Sequence, residues 1–414
     1  MSLGKNALII GAGRSQVPII DLCHQYGCKV IAVSPKGNYP GLDIADEVLY
    51  EDVKNFESIL NFAKGKNIDA VFTDQLDAGV LSAAYVSEKI GVKTITYDTA
   101  LKFTNKFLMR QCAKKAGVAV PQCVCVHSVD EAIEKSKEMK FPLMMKPVDS
   151  AASRGISKVE NVNDIREKFL YAQQYSRTKK VILETFITGK EYVVEAFTKD
   201  FNTQNLIVGE RTYFDIPGEF IPSTTLFRDA NSADTALEIR LKQTNKHLVE
   251  SFGLPFGITH AEYLYDENSD IIYLVEIAAR GGGVFISSDL IPMACGVNAI
   301  DLLTKENLGI PYEDKIALTS AASAYLCYLC PEGIVTSLDG ASQVEKIPGV
   351  EKAFFDNISL GMQLPPIKDK SSRKGPILIK GRTKEDCLEV MNKVKSTLDI
   401  SIVDSAGNGK GVIW

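Results

Sequence analysis

The sequence predicts a mixed α/β and α+β protein, and two patterns carry that expectation. Over the first hundred residues, short apolar strands alternate with amphipathic helices, as in a parallel α/β unit. Beyond them, longer strands joined by tight turns are interspersed with single helices, as in antiparallel α+β structure. At 414 residues the chain exceeds the usual domain size, so two or three cores are expected.

The first segment runs through the strand and turn NALIIGAG, a helix over Ile19–Tyr26, the strand KVIAVS, a helix over Phe56–Ala63 and the strand DAVFTD. A helix over Ala78–Ile90 and a short strand KTIT complete a Rossmann-like domain over residues 1–99. In such domains ligands sit beyond the carboxyl ends of the strands, where Gly11, Gly13 and Asp74 fall. A second domain, residues 100–312, opens with a helix over Lys106–Ala116 that Gly117 stops. Ser128 and Glu131 form a capping box, Phe141–Val148 is a strand carrying Lys146, and a helix over Asn163–Tyr175 follows. Then come the strands KVILETFI, EYVVEAF and LIVGERT, a long helix over Ala233–Phe252, and a hairpin of GITHAEYLY, the turn DENSD and IIYLVEIA. Residues 313–414, with AYLCYL, ILIKG and a helix over Lys384–Leu398, read as a small α+β cap.

Composition narrows the partners. Hydrophobic residues at 45% and charged residues at 24% are those of an ordinary globular protein, and 47 Lys plus Arg against 52 Asp plus Glu leave no basic footprint. No nucleic acid and no membrane are expected, and small molecules become the default partners. No apolar run approaches the length of a membrane span and no signal peptide precedes the first strand, so a cytoplasmic location is expected. The nine cysteines read as free thiols, with Cys327 and Cys330 as core residues despite their CxxC spacing.

GAGRSQ misses the dinucleotide fingerprint, because Gln16 replaces its third glycine and KVIAVS ends in Ser34 rather than an acid. A nicotinamide dehydrogenase is therefore disfavoured. The GxxxxGK[ST] loop is absent as well. Instead, KPVDSAASRGISKV offers Lys146, then a loop of small residues through Ser153, Arg154 and Gly155, which suits close approach to phosphate or an ordinary surface hairpin. If the turn sets Tyr265 opposite Ile271, Glu262 faces Leu274 and Glu276 faces His260. The two glutamates are then diagonal neighbours, close enough to share a divalent cation. Arg280, in EIAARGGG, follows as a forked cation suited to stabilising developing charge.

Taken in order, these segments resemble the ATP-grasp superfamily over roughly residues 100–310, a two-lobed domain flanked as in biotin carboxylase and phosphoribosylamine–glycine ligase. The resemblance implies that Lys106 (in TNKFLMRQCAKKAGVAVP) and Lys146 (in FPLMMKP) contact ATP phosphates. It implies that Glu184, Thr185, Phe186 and Ile187 hold adenine largely through backbone groups, with Glu191 on the ribose. It assigns Mg²⁺ or Mn²⁺ to Glu262 and Glu276, acyl-phosphate stabilisation to Arg280, and phosphate-loop contacts to Ser153 and Gly155, with a mobile lid about 118–187. Ala278 stands where many members have an asparagine metal ligand, a form similar to some amino-acid ligases, and Ala151 and Ala152 stand where glycines are common.

The function implied is ATP- and magnesium-dependent joining of a small carboxylate to an amine or ammonia through an acyl phosphate. A phosphoribosylamine–glycine ligase-like reaction, carboxyphosphate formation and a non-catalytic ATP sensor are the alternatives, and a homodimer is left open. Asp74 and Asp77 read either as ligands for an amine-bearing substrate or as helix-capping acids.

Overall fold

The computed structural model describes residues 3–151, 153–228, 235–313 and 315–414. Its first unit contains β1 (Asn6–Ile10), α1 (Val17–Gln25), β2 (Lys29–Ser34), α2 (Pro40–Ile44), β3 (Glu47–Tyr50), α3 (Phe56–Lys64), β4 (Ala70–Phe72) and α4 (Asp77–Ile90). The four strands form a parallel sheet in the order β3-β2-β1-β4. The near-continuous apolar character of β1 and β2 follows from helices covering both faces. The expected strand KTIT is an irregular connection, and a helix unforeseen in the sequence, α5 (Tyr97–Thr104), follows it under a Thr96 cap. Next comes α6 (Lys106–Lys115), capped by the Asn105 side chain.

A small antiparallel sheet then contains β5 (Cys123–Val126), β6 (Leu143–Pro147), β7 (Ser157–Val159) and β8 (Val181–Thr185) in the order β5-β8-β6-β7. Its core packs against α7 (Val129–Ser136), with the expected Ser128 cap, and α8 (Ile165–Gln174).

The largest sheet begins with β9 (Lys190–Lys199), β10 (Asn202–Tyr213) and β11 (Pro222–Phe227). Helix α9 (Ala236–Phe252) follows, with a Thr235/Glu238 capping box and left-handed Gly253 at its end. The expected first turn of this helix, from Ala233, lies outside the described residues. The hairpin is β12 (Gly257–Asp266) and β13 (Ile271–Ala278), after which α10 (Ile291–Cys295) and α11 (Ala299–Leu308) fill the core between this sheet and the first unit.

The tail is joined to the same sheet. β14 (Ala322–Leu329), containing AYLCYL, pairs with β11, giving eight antiparallel strands in the order β13-β12-β9-β10-β11-β14-β18-β16. The remaining elements are β15 (Gly333–Asp339), α12 (Ala341–Val344), β16 (Val350–Ala353), β17 (Gln363–Leu364), β18 (Arg373–Gly381), α13 (Lys384–Thr397), β19 (Asp399–Val403) and β20 (Gly409–Lys410). Cys327 and Cys330 are buried, and all nine cysteines are free. Among the described residues no single helix is long and apolar enough to cross a membrane.

Helix α9 is fastened to the rest by Phe252, fully buried and packed edge-on against Phe103 of α5 with ring centroids 5.2 Å apart. Phe252→Ala is expected to lower unfolding stability by about 3–5 kcal/mol, read from denaturant midpoints.

Candidate active site

The hairpin register differs from the expected one, and the difference matters. Asp266, not Tyr265, lies opposite Ile271, and a bulge at Val275 then shifts the ladder by a further residue. Glu262 and Glu276 are consequently direct cross-strand partners rather than diagonal neighbours, and His260 lies opposite Ala278. The bulge explains why Ile272, Leu274 and Ile277, with a spacing of two and then three, all reach the core beneath. Without it, strict alternation would send Glu276 to the core side; with it, Val275 and Glu276 both line the cleft. The sequence carries a trace of this: an acid stands at 276, where period-two alternation from Ile272 and Leu274 demands an apolar residue.

A cleft between the small sheet and the large one is lined by both glutamates and by Lys106, Lys146, Ser153, Glu184, Thr185, Phe186, Ile187 and Glu191. Thus ten of the sequence-selected positions converge on one space. Gly155 does not line it: with φ +75° it packs beside Pro147 and Tyr175, where a Cβ would sit 2.8 Å from the proline ring. Lys106 donates to Glu276 at 2.6 Å and to the Ser150 carbonyl at 2.8 Å, tying α6 to the metal-type carboxylate and the small-residue loop.

Lys146 pairs with Glu184 at 2.7 Å, and the opposite side of that carboxylate receives Arg110 Nε at 2.6 Å. Glu184 has no solvent exposure; burial opposes its charge, yet Arg110 and Lys146 prevail and hold its pKa down to about 2. Its side chain therefore braces the two cations. In the adjoining segment, the N–H groups of Thr185 and Phe186 donate to the Gln122 and Pro142 carbonyls at 2.9 and 3.1 Å.

Further residues come from strands distant in sequence and were not foreseen. Arg211 on β10 donates to Glu191 at 2.8 Å and also to Glu262, joining the ribose-type and metal-type carboxylates. Tyr213 donates to Glu191 as well. His260 lies between Glu195 and Glu262, 3.2 Å from the latter; burial works against its protonation, but these two carboxylates raise its pKa. Burial likewise opposes the Glu262 charge, while Arg211, Lys370 and His260 hold its pKa well below the usual carboxylate range. Lys370, from the tail, lines the cleft near this group. The local hint was the charged pair Glu210–Arg211 just after the apolar run Leu206–Val208.

Arg280 is placed apart from the nucleotide-type cleft. Its Nε donates to Asp77 at 2.8 Å, and it lines a neighbouring pocket at the boundary with the first unit. Neither Asp74 nor Asp77 caps a helix by its side chain, since Leu76 occupies the cap of α4. Fully buried Asp74 accepts from the Gly281 N–H at 2.8 Å and from Ser287 Oγ at 2.7 Å, fastening the glycine loop after Arg280. The non-fingerprint residue Gln16 accepts from the Gly13 N–H and donates to the Asp74 carbonyl at 2.7 Å, bracing this junction from the first unit. A Cβ at Gly281 would lie 2.2 Å from Ser287 Cβ and 2.7 Å from Asp74 Oδ1.

The donor set fits a hard divalent cation carried by polyphosphate. No group of three or more His, Cys, Asp and Glu suited to a closed metal site occurs among the described residues. Two facing carboxylates beside a phosphate-sized cleft match magnesium, which takes one or two protein carboxylates and completes its shell with phosphate and water.

Residues 139–289 match the ATP-grasp domain family. Across 392 residues the chain is 24% identical to formate-dependent phosphoribosylglycinamide formyltransferase of Prochlorococcus marinus, covering 92% of this chain and 93% of that one. Identity is 21% over 267 residues to D-alanine–D-alanine ligase of Pseudomonas fluorescens, 63% of this chain and 75% of that one. Among solved structures, an L-amino acid ligase from Bacillus licheniformis superimposes with a TM-score of 0.79 at 20% identity, covering 96% of this chain and 98% of that one. The biotin carboxylase domain of 2-oxoglutarate carboxylase from Hydrogenobacter thermophilus gives 0.73 at 16% identity, covering 99% and 91%.

Two outcomes follow from the geometry. Because the Glu184 pKa is depressed, its contribution is complete above the ordinary carboxylate range and declines as pH falls toward about 2. Urea unfolding followed from pH 6 to 2 should show about 3 kcal/mol of acid-dependent loss that Glu184→Gln removes. Gly281→Ala should displace the Arg280 loop and lower catalytic turnover at least tenfold, whereas Gly283→Ala, with no atom within 4 Å of its added Cβ, should be silent in the same kinetic assay.

Proposed function

We propose that this protein is an ATP-dependent ligase that activates a small carboxylic acid through an acyl phosphate and passes the acyl group to an amine. The observation that carries the reading is the direct opposition of Glu262 and Glu276 across one cleft from Lys106 and Lys146. Glu262 and Glu276 would hold Mg²⁺ (or Mn²⁺), which when bound supplies charge neutralisation for phosphoryl transfer. Lys106 and Lys146 supply phosphate contacts from α6 and β6, and Ser153 lies in the loop between the latter strand and β7. The backbone from Glu184 to Ile187 meets adenine, and Glu191 receives the ribose hydroxyls. Gly155 supports the loop from behind rather than touching phosphate.

The chain's residues work by positioning and electrostatics. The substrate carboxylate attacks the γ-phosphorus as the bond to ADP breaks; the amine then displaces phosphate from the acyl carbon and loses its proton. Arg280, reached through the glycine loop, serves the acyl-phosphate end, where its contact with Asp77 fixes the guanidinium plane. A pure ATP sensor has less need of a forked cation held so far from the adenine end.

The acid and amine are expected to be small molecules. A phosphorylated amine as acceptor is the second reading, favoured by Lys370 in the cleft and Lys368 along the groove that opens from it. Phosphate release measured over pools of amino acids, organic acids and phosphoribosylated amines would separate these substrate classes, and ATP binding without stimulation by any acid–amine pair would favour the sensor. Glu276→Gln should retain its circular dichroism spectrum yet lose at least 100-fold in phosphate release; wild-type turnover in that variant would rule out the metal assignment.

A further inference from the structure

Helix α6 presents Lys106 and Arg110 one turn apart, and these two cations seize consecutive residues of β13. Lys106 holds the Glu276 carboxylate, while Arg110 Nη2 donates to the Val275 carbonyl at 2.7 Å. Val275 is the residue at which the ladder bulges. A bulge frees backbone groups from the ladder, and a buried carbonyl there needs another donor. Arg110 supplies it, and the same guanidinium grips Glu184 through Nε. With 1% of its side chain exposed, Arg110 is confined to the cleft wall.

We propose that Arg110 is a positioning residue that clamps the Val275 bulge and thereby keeps Glu276 facing Glu262, coupling the metal carboxylates to the adenine-side hinge. The inference rests on the ligase reading for the role of the two glutamates. Lys106 has an alternative partner whenever polyphosphate is bound, so its hold on Glu276 is exchangeable. Arg110, bonded only to protein groups, retains the bulge through that exchange. Lysine cannot reproduce the clamp: its ammonium can pair with Glu184, but it lacks the planar fork that reaches carboxylate and carbonyl together.

The test is a double-variant cycle on the full chain, with Mn²⁺ binding read by electron paramagnetic resonance in the presence of ADP. Arg110→Lys is expected to weaken Mn²⁺ binding on the order of 10-fold or more, with a clearly smaller loss in metal-free ADP binding. Deleting Val275 removes the extra residue that the clamp accommodates, so an unbroken ladder again sets Glu276 opposite Glu262. The deletion in the Arg110→Lys background should therefore restore Mn²⁺ binding, a recovery that a merely structural role for Arg110 does not predict. If Arg110→Lys alone fails to fold, recovery of folded, Mn²⁺-binding protein in the double variant supports the proposal. Parental Mn²⁺ affinity in folded Arg110→Lys, or no recovery in the double variant, overturns it. Glu276→Gln serves as the control: if it too binds Mn²⁺ like the parent, the ligase reading fails rather than the clamp.

Discussion

Like charges placed directly across an antiparallel strand pair repel, and Glu262 and Glu276 are placed that way at the bottom of a cleft. Desolvation adds to the cost, because Glu262 is only 9% exposed. The surrounding structure is arranged to offset both terms. Arg211 crosses from β10 to one carboxylate, Lys106 descends from α6 to the other, and His260 and Lys370 add positive charge near Glu262. Each carboxylate is thus matched by a cation from a different element, so the site exists only when several separately folded segments meet.

The same logic reaches the first unit. Asp74 is buried with a pKa raised chiefly by desolvation, and its carboxylate accepts from Gly281 and Ser287 in the turn that follows Arg280 as well as from the Gln75 side chain. Asp77, one helix residue beyond the Leu76 cap, holds the guanidinium itself. The first unit therefore contributes two carboxylates that shape the turn carrying Arg280, although its glycine turn lacks a dinucleotide fingerprint. Gln16, which breaks that fingerprint, is a brace between the turn and Asp74.

Much of this was legible from local pattern. The alternation of NALIIGAG, KVIAVS and DAVFTD with helices specified a parallel sheet, because strands buried on both faces read as continuous apolar runs. Lys106 entered only through the resemblance of its helix, whereas Lys146 and the two hairpin glutamates stood out as charges on apolar strands. The register did not, because a period-two reading has no place for the extra residue at Val275, and only the core demand of Ile277 betrays it. The roles of Arg211, Tyr213 and Lys370 were hidden for another reason: their meaning arises from pairing between β9, β10, β12 and the tail, at separations no local window spans. The tail was read as a cap because its strands look self-sufficient, whereas β14 completes the large sheet through β11.

One feature of the architecture bears on how the parts work together. The sheet β5-β8-β6-β7 shares no ladder with its larger neighbour, and the chain enters it from α6 and leaves it between β8 and β9. Those crossings are also where Glu184 and the Thr185–Ile187 backbone lie, at the edge of the cleft. On the proposed reading, a base seated against that crossing lies where the chain passes from one sheet to the other, so any tilt of the small sheet would carry Lys146 of β6 with it and join occupancy to orientation in a single mechanical coordinate.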